Sequence, residues 1–114
     1  MKMSKFTIFL ARNGQFYWRL KASNGETLCH SEGYTAKQSA QRGIESCKLN
    51  ALTGKYTVFQ GNDAQFYWNL KAVNGETLCH SEGYSTKQSA ENGVEACKRN
   101  APVARIVDET LTDA

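Results

Sequence analysis

The chain has 114 residues, a hydrophobic content of 40% and a formal net charge of +3. This composition excludes a disordered protein, because disorder requires low hydrophobicity together with a high net charge. The length predicts a single domain, residues 1–114, that can bury a real core. Neither a membrane-spanning apolar run nor a signal-peptide core is present, so we expect a cytoplasmic protein that does not enter the membrane.

One structural unit is written twice along the chain. Adding fifty to a residue number in 5–51 gives its counterpart in 55–101 without a gap, and about two-thirds of the positions are identical. We call these ranges copy one and copy two, and residues 102–114 are predicted to form a final strand and a frayed tail. A fifty-residue unit alone is marginally stable, so the two copies are predicted to share one core.

Each copy opens with three predicted strands. In copy one the first strand, at 6–10, is rich in β-branched and aromatic residues. The second and third, at 16–22 and 27–31, flank Asn24-Gly25. Asn-Gly favours a type I′ turn, which needs positive φ at both central residues. The sequence therefore predicts a hairpin with a two-residue loop, repeated in copy two.

The hairpin register predicts which side chains share a face of the sheet. A two-residue loop would pair Leu20 with Cys29 and Lys21 with Leu28. One face then carries Phe, Trp, Leu and Cys side chains and is predicted to pack on the helices. The opposite face, which we call the reverse face, would carry Leu28. It would also carry seven candidate binding residues: Tyr17, Arg19, Lys21, His30, Tyr67, Lys71 and His80.

A helix is predicted after each hairpin. Thr35-x-x-Gln38 and Ser85-x-x-Gln88 have the pattern of capping boxes, so we expect the helices to begin at Thr35 and Ser85. Small residues dominate one face of the first helix, which favours a close approach of helix to sheet. This face comprises Ala36, Ala40, Gly43, Ile44 and Cys47.

The helices and the chain are predicted to end in recognisable ways. Asn50 and Asn100 are expected to close the helices in a left-handed conformation. Val103–Val107 is β-branched and is the last predicted strand.

The first strand carries apolar residues on both faces, with Phe6 and Ile8 on one and Phe9 on the other, and its register against the hairpin is left open by the loop at 12–14. We therefore expect the reverse face to be partly covered. The C-terminal strand, the tail or a second chain could cover it.

No motif predicts a catalytic residue, a metal site or a cofactor. Cys29 and His30 are adjacent on a strand and point to opposite faces, and only Cys47 could join Cys29 in the core, which is too few ligands for zinc. His30-Ser31-Glu32 contains three catalytic residue types, but neighbours on an extended chain diverge. There is no glycine-rich phosphate loop. The four cysteines are expected to be free thiols in a reducing compartment.

Two binding functions are left open. The first is a non-enzymatic protein-interaction or structural module of unknown partner, because tandem β-rich units with unpaired edge strands suit association. The alternative is single-stranded nucleic-acid binding, with Tyr17 stacking on bases and basic side chains contacting phosphates. Copy one has a net charge of +4 and copy two of zero, which favours the reverse face of copy one. We expect a monomer; a small enzyme or a metal-binding protein is the least favoured reading.

The repeated segment Phe-Tyr-Trp-x-Leu-Lys-Ala-x-Asn-Gly-Glu is followed by Ser-Glu-Gly-Tyr and then by Gly-(Ile/Val) and Asn-Ala. This pattern, which covers nearly the whole chain, resembles the YegP-like family of small uncharacterised bacterial proteins. The resemblance implies a two-layer α+β fold of tandem β(3)-α-β repeats. One antiparallel-rich sheet would have two helices on one face and C-terminal strands exchanged between repeats. Residues 103–107 would then be an exchanged strand and 55–59 would link the halves; no site residues are implied.

Overall fold

A computed structural model describes residues 3–111. The strands are β1 (Lys5–Leu10), β2 (Phe16–Lys21), β3 (Thr27–His30), β4 (Lys55–Gln60), β5 (Phe66–Lys71), β6 (Thr77–Ser81) and β7 (Arg105–Asp108). The helices are α1 (Lys37–Asn50) and α2 (Lys87–Asn100). Two short 3-10 turns, Ala101–Val103 and Glu109–Leu111, precede and follow β7. No helix in this range is long and apolar enough to cross a membrane.

All seven strands form one sheet in the order β4-β5-β6-β3-β2-β1-β7. The two copies meet at its centre, where β3 pairs antiparallel with β6. β7 follows the helix of copy two but lies parallel to β1 of copy one. β4 follows the helix of copy one and pairs antiparallel with β5 of copy two. The predicted α+β fold, with strands after each helix exchanged between repeats, is confirmed.

The core lies between the sheet and the two helices. Trp18, Leu20 and their counterparts Trp68 and Leu70 are fully buried. The small-residue helix face is also confirmed, except that Ala36 lies exposed just before α1. Its buried members in α1 are Ala40, Gly43, Ile44 and Cys47. Their counterparts in α2 are Ala90, Gly93, Val94 and Cys97.

The predicted type I′ hairpin is wrong. Of the two central residues, only Gly25 has positive φ, +89°. The loop has three residues, because Ala22 N donates to Glu26 O at 2.9 Å and Gly25 N donates to Ala22 O at 2.9 Å. The side chain of Asn24 accepts a hydrogen bond from Glu26 N at 2.9 Å. This local bond supports an ordinary right-handed turn followed by a left-handed glycine.

The longer loop shifts the strand register by one residue, and a β-bulge restores it. Lys21 pairs with Thr27 instead of Leu28, and the register shifts before Leu20 pairs with Cys29 as predicted. A bulge places two successive residues of one strand opposite one residue of the other. Leu28 therefore turns towards the helices and is 3% exposed, which corrects its predicted place on the reverse face.

The helices begin two residues later than predicted. Tyr34 N donates to Phe16 O at 2.8 Å, so the chain is still tied to the sheet just before Thr35. In copy two Thr86 is the N-cap, and its hydroxyl accepts a hydrogen bond from Ser89 N at 3.1 Å. In copy one the N-cap is Ala36, which has no side chain for that bond. The two predicted capping boxes are therefore wrong.

The predicted left-handed helix ends are also wrong. Asn50 and Asn100 lie inside the helices, and the residues that follow them are right-handed. The side-chain amide of Asn50 donates to Ser46 O at 2.8 Å, and Asn100 repeats the contact. These bonds satisfy helix carbonyls without a left-handed residue. The last strand begins at Arg105, since Ala101–Val103 forms a 3-10 turn.

The missing cap in α1 gives a prediction about stability. Ala36→Thr should raise the free energy of unfolding by about 1 kcal/mol, since it supplies the acceptor that Thr86 provides in α2. Thr86→Ala should lower it by about the same amount. Urea denaturation of the two variants measures both changes, and each serves as the other's control. Ser39 N already donates to the main-chain oxygen of Ala36 at 3.1 Å, so an unchanged Ala36→Thr variant would show that this bond is sufficient.

Candidate functional site

The structure brings His30 and His80 together at the centre of the reverse face. They lie opposite each other on β3 and β6, with ring centroids 6.2 Å apart. His80 Nε2 is paired with the carboxylate of Glu32, and His30 Nε2 lies 4.0 Å from that of Glu82. Each histidine thus faces a glutamate of the other copy. The sequence assigned Glu32 and Glu82 only to the turn before the helix, so this cluster was missed.

Aromatic pairs flank the histidines on the reverse face. Tyr17 stacks on Phe9 with centroids 5.9 Å apart and an interplanar angle of 18°. Tyr67 stacks on Phe59 in the same way, at 5.9 Å and 21°. The guanidinium of Arg19 lies 4.3 Å from the centroid of the Phe9 ring. The sequence analysis proposed that Tyr17 stacks on bases. In the structure one face of each tyrosine ring is already covered by a phenylalanine.

A groove of about 670 Å³ runs along the reverse face of copy one. It brings four of the seven predicted residues together: Tyr17, Arg19, His30 and His80. Lys21 lies instead in a second groove with Lys5 and Arg105. Lys71 lies opposite Lys55 in the register of β5 with β4. The hydroxyl of Tyr67 donates to the carboxylate of Asp63, which raises the pKa of Tyr67 and lowers that of Asp63.

The C-terminal strand, one of the three covers proposed for the reverse face, does not lie on it. β7 lies beside β1 and extends the sheet. Copy two also lacks the counterpart of Arg19, because Asn69 stands in its place with a buried side-chain oxygen that has no hydrogen-bond partner. The two reverse faces therefore differ in two ways. Copy two has lost the charge of Arg19, and the shorter Asn69 side chain has its oxygen buried.

The four cysteines meet in the core, which the sequence anticipated only for Cys29 and Cys47. Both copies contribute a strand and a helix cysteine, and all four are buried and free. Hydrogen bonds that the Cys47 thiol donates to Cys79 and Cys97, together with burial, raise the pKa of Cys47 well above its ordinary value. Within residues 3–111 no group of three or more His, Cys, Asp or Glu is arranged to hold a metal ion. The cluster is a set of buried free thiols that pack like small hydrophobic side chains.

The outer edge of β4 is a second candidate site, which the sequence did not locate. β4 ends the sheet, and no described strand lies on its outer side. At the opposite end β7 covers β1, where Phe6 and Ile8 are 0% exposed. The corresponding Tyr56 and Val58 of β4 are only half-buried. The two copies therefore differ most at this strand.

The pairing of β1 with β7 shows which main-chain groups of β4 point outwards from the sheet. Arg105 N donates to Ser4 O at 3.2 Å. Because successive residues of a strand direct their amides and carbonyls to alternate sides, the groups of Phe6 and Ile8 point towards β7. By the same alternation the main-chain groups of Tyr56 and Val58 point outwards from β4. Tyr56 and Val58 each offer an unpaired amide and carbonyl at this edge, and Gln60 at the end of β4 continues the pattern.

β7 is expected to loosen from β1 in acid. Burial acts to raise the pKa of Asp108, but hydrogen bonds from Lys37 and Thr110 outweigh it and leave the pKa below its ordinary value. A carboxyl with a lowered folded pKa stabilises the fold above its unfolded pKa, about 3.9, and that contribution is lost as pH falls through the folded value. Amide exchange of Arg105–Asp108 should accelerate below about pH 4 beyond the intrinsic pH effect. Asp108→Asn should abolish this step; a step that persists would assign it to another carboxyl.

Comparison with known proteins places the chain in a family. The family described as "Domain of unknown function (DUF1508)" matches residues 11–56 and again residues 62–108. The chain belongs to this family. The double match agrees with the duplication, and the DUF1508 family carries no assigned activity in its description.

Relatives and solved structures of the DUF1508 family extend the comparison. A UPF0339 protein of Agrobacterium fabrum is 53% identical over 49 residues, which is 43% of this chain and 79% of that protein. UPF0339 protein YegP of Yersinia pestis is 45% identical over 51 residues, 45% of this chain and 46% of that protein. The resemblance to YegP-like proteins is therefore confirmed.

Two solution structures match the whole fold. The E. coli protein of unknown function yegP has a TM-score of 0.88 and 35% identity, over 99% of this chain and 98% of that chain. UPF0339 protein SO3888 of Shewanella oneidensis has a TM-score of 0.87 and 34% identity, over 95% and 92%. These similarities confirm the architecture and leave the function open.

Proposed function

We propose that this protein is a non-enzymatic protein-interaction module that accepts an extended segment of a partner at the outer edge of β4. The observation that carries the proposal is the contrast between the two ends of the sheet. β7 covers the edge of β1, whereas the equivalent edge of β4 lies open. A partner strand gains main-chain hydrogen bonds at such an edge. The module would act in the cytoplasm, where its four thiols stay reduced.

β4 also lacks the features that usually protect an edge. Natural edge strands carry proline, bulges or several charges that discourage pairing. β4 is six residues long, has no proline, and pairs with β5 without a register shift. Lys55 at its start is its one charged residue, and Phe59 near its end is 41% exposed. The strand is therefore suited to pairing with another chain.

Site-specific photo-crosslinking in the host tests the proposal. A photoreactive residue at the exposed position Thr57 should cross-link to a defined protein, identified from the cross-linked peptide. The control position is Val73, which is 92% exposed in the copy-two hairpin loop. Val58→Pro removes one outward amide but no bond to β5, so it should abolish the product. Equal products from Thr57 and Val73, or a product insensitive to Val58→Pro, would refute acceptance at β4.

Single-stranded nucleic-acid binding is the second candidate function. The groove on the reverse face, with Tyr17, Arg19 and His30 in its lining, supports it. The proposed contacts are Tyr17, Arg19, Lys21, His30, Tyr67, Lys71 and His80. The carboxylates of Glu32 and Glu82 beside the histidines oppose it, because they repel phosphates. Fluorescence anisotropy with dT and rU oligonucleotides should show affinity that falls as salt rises and that Tyr17→Ala weakens. Absence of binding at low salt would dismiss this candidate.

A further inference from the structure

β7 shows what kind of strand this sheet accepts beside the first strand of a copy. It runs parallel to β1, with Ile106 opposite Phe6 and Asp108 opposite Ile8. The carboxylate of Asp108 lies 2.8 Å from Lys37 Nζ at the start of α1. The chain then turns so that the hydroxyl of Thr110 lies 3.1 Å from the same ammonium group. The accepted strand therefore places an aliphatic residue, Ile106, which is 40% exposed, opposite Phe6, and two residues later an acid that pairs with Lys37 of α1.

Copy two preserves the receiving side of this arrangement. Lys55 and Thr57 repeat Lys5 and Thr7, and Tyr56 and Val58 stand in place of Phe6 and Ile8. Lys87 is the counterpart of Lys37 at the start of α2. It makes no ion pair with any residue in 3–111, whereas Lys37 is occupied by Asp108. A groove of about 360 Å³ lies between β4 and α2, with Tyr56, Val58 and Val94 among its lining residues.

We propose that the β4 edge binds an extended, acidic peptide segment of a partner protein, parallel to β4. An aliphatic side chain lies opposite Tyr56, and an aspartate or glutamate lies opposite Val58 and pairs with Lys87. This inference rests on the proposed function and specifies the partner's chemistry. The amides and carbonyls that point outwards at Tyr56 and Val58 fix the register, and Lys87 selects the acid.

One residue of the groove opposes an acidic partner and gives a graded test. Glu91 lines the groove where copy one has Gln41. Glu95 lines the groove as well, but it is paired with Lys98 at 3.6 Å. The extra carboxylate of Glu91 repels an acidic peptide along the helix side. Glu91→Gln restores the copy-one residue and should therefore tighten binding about twofold, consistent with a weak surface charge effect.

The protein's own C-terminal strand supplies the probe. An acetylated, fluorescent peptide with the sequence of residues 104–111, Ala-Arg-Ile-Val-Asp-Glu-Thr-Leu, should bind the full chain. In the full chain β7 is tethered to β1 at high effective concentration. Among the described strands the free peptide then meets open edges at β4 and at the outer side of β7, and only the first has Lys87 and the residues equivalent to those of β1 beside it. Amide shifts measured by NMR should move in β4 and at the start of α2, and not in β1.

Charge-reversal variants test the recognition of the acid. Lys87→Glu should weaken peptide binding at least tenfold in fluorescence anisotropy, and the side chain is exposed, so folding should be retained. Arg99→Glu makes the same charge change on an exposed site at the far end of α2 and should alter binding less than twofold. A peptide with Asp108→Lys should lose affinity for the natural chain and regain it for the Lys87→Glu variant.

The outcomes separate this inference from the proposed function. Peptide binding at β4 that ignores Lys87 overturns the acidic chemistry but keeps strand acceptance. No peptide binding overturns the inference, while a partner cross-linked at Thr57 would still support the module. Amide shifts confined to β1 would show that the peptide only displaces β7. A dimer by light scattering that Val58→Pro abolishes would make a second copy the occupant, and this also overturns the inference.

Discussion

A chain that ends at Ala104, and so lacks β7 and the tail, is expected to lose about 3–5 kcal/mol of unfolding free energy. Burying a large apolar side chain contributes about 1.5–3 kcal/mol, and truncation would expose much of Phe6 and Ile8. Both are fully buried under β7, whereas Tyr56 and Val58 are half-buried without such a strand. The pair between Lys37 and Asp108 is lost as well. Urea denaturation followed by tryptophan fluorescence measures the change.

Copy two supplies a control for the truncation. Phe6→Tyr with Ile8→Val gives β1 the residues that copy two carries at its open edge. This double substitution should reduce the loss on truncation, because less apolar surface is newly exposed. The 104–111 peptide should in turn restore part of the lost stability by mass action. A truncated chain as stable as the full one would mean that β7 contributes little to the covered edge.

Gly43→Ala is expected to lower the unfolding free energy by about 1–2 kcal/mol, although alanine favours a helix by about 1 kcal/mol over glycine. A Cβ at this position would collide with the Tyr34 hydroxyl and lie 3.0 Å from Trp18 Nε1. Trp18 is fully buried and cannot move away without opening the core. Chemical denaturation measures the loss.

Removal of the obstructing hydroxyl should reduce the effect, although the ring carbon Cζ of Tyr34 stays 2.9 Å from the added Cβ. In a Tyr34→Phe background Gly43→Ala should be much less costly, and the difference is the coupling free energy of a double-mutant cycle. Gly93 and Tyr84 have the same arrangement with Trp68 in copy two, so Gly93→Ala with Tyr84→Phe provides an independent repeat. Additive changes in both cycles would show that the hydroxyl is not the obstacle.

Much of the fold could be predicted because the determining signals are local or repeated. The strands are rich in aromatic and β-branched residues, the helix faces have a 3.6-residue period, and duplication defines the two copies. The predicted pairing of Leu20 with Cys29 is correct, although both the loop length and the regular strand assumed for it are wrong, because the two errors cancel. The longer loop shifted the register and the bulge at Leu28 shifted it back.

The candidate sites were harder to predict, because they depend on contacts between copies. His30 belongs to copy one and Glu82 to copy two, and they approach each other because β3 pairs with β6. The sequence of a single copy gives no sign of this contact. The four cysteines converge for the same reason. The capping errors were local: Tyr34 is bonded to Phe16 just before the predicted helix start, and Ala36 beyond it is still extended.

The sheet contains seven strands, an odd number for a duplicated unit, and this count explains the open edge. Shifting β7 back by fifty residues gives 55–58, which already lie in β4. The place equivalent to that of β7 on β1 is therefore beside β4, and a strand cannot pair with itself. One strand serves as the last of copy one and the first of copy two, so the sheet is one strand short. Direct fusion of two such units creates one vacant position irrespective of sequence, and a chain carrying an extra copy of Lys55–Gln60 on a flexible linker could fill it.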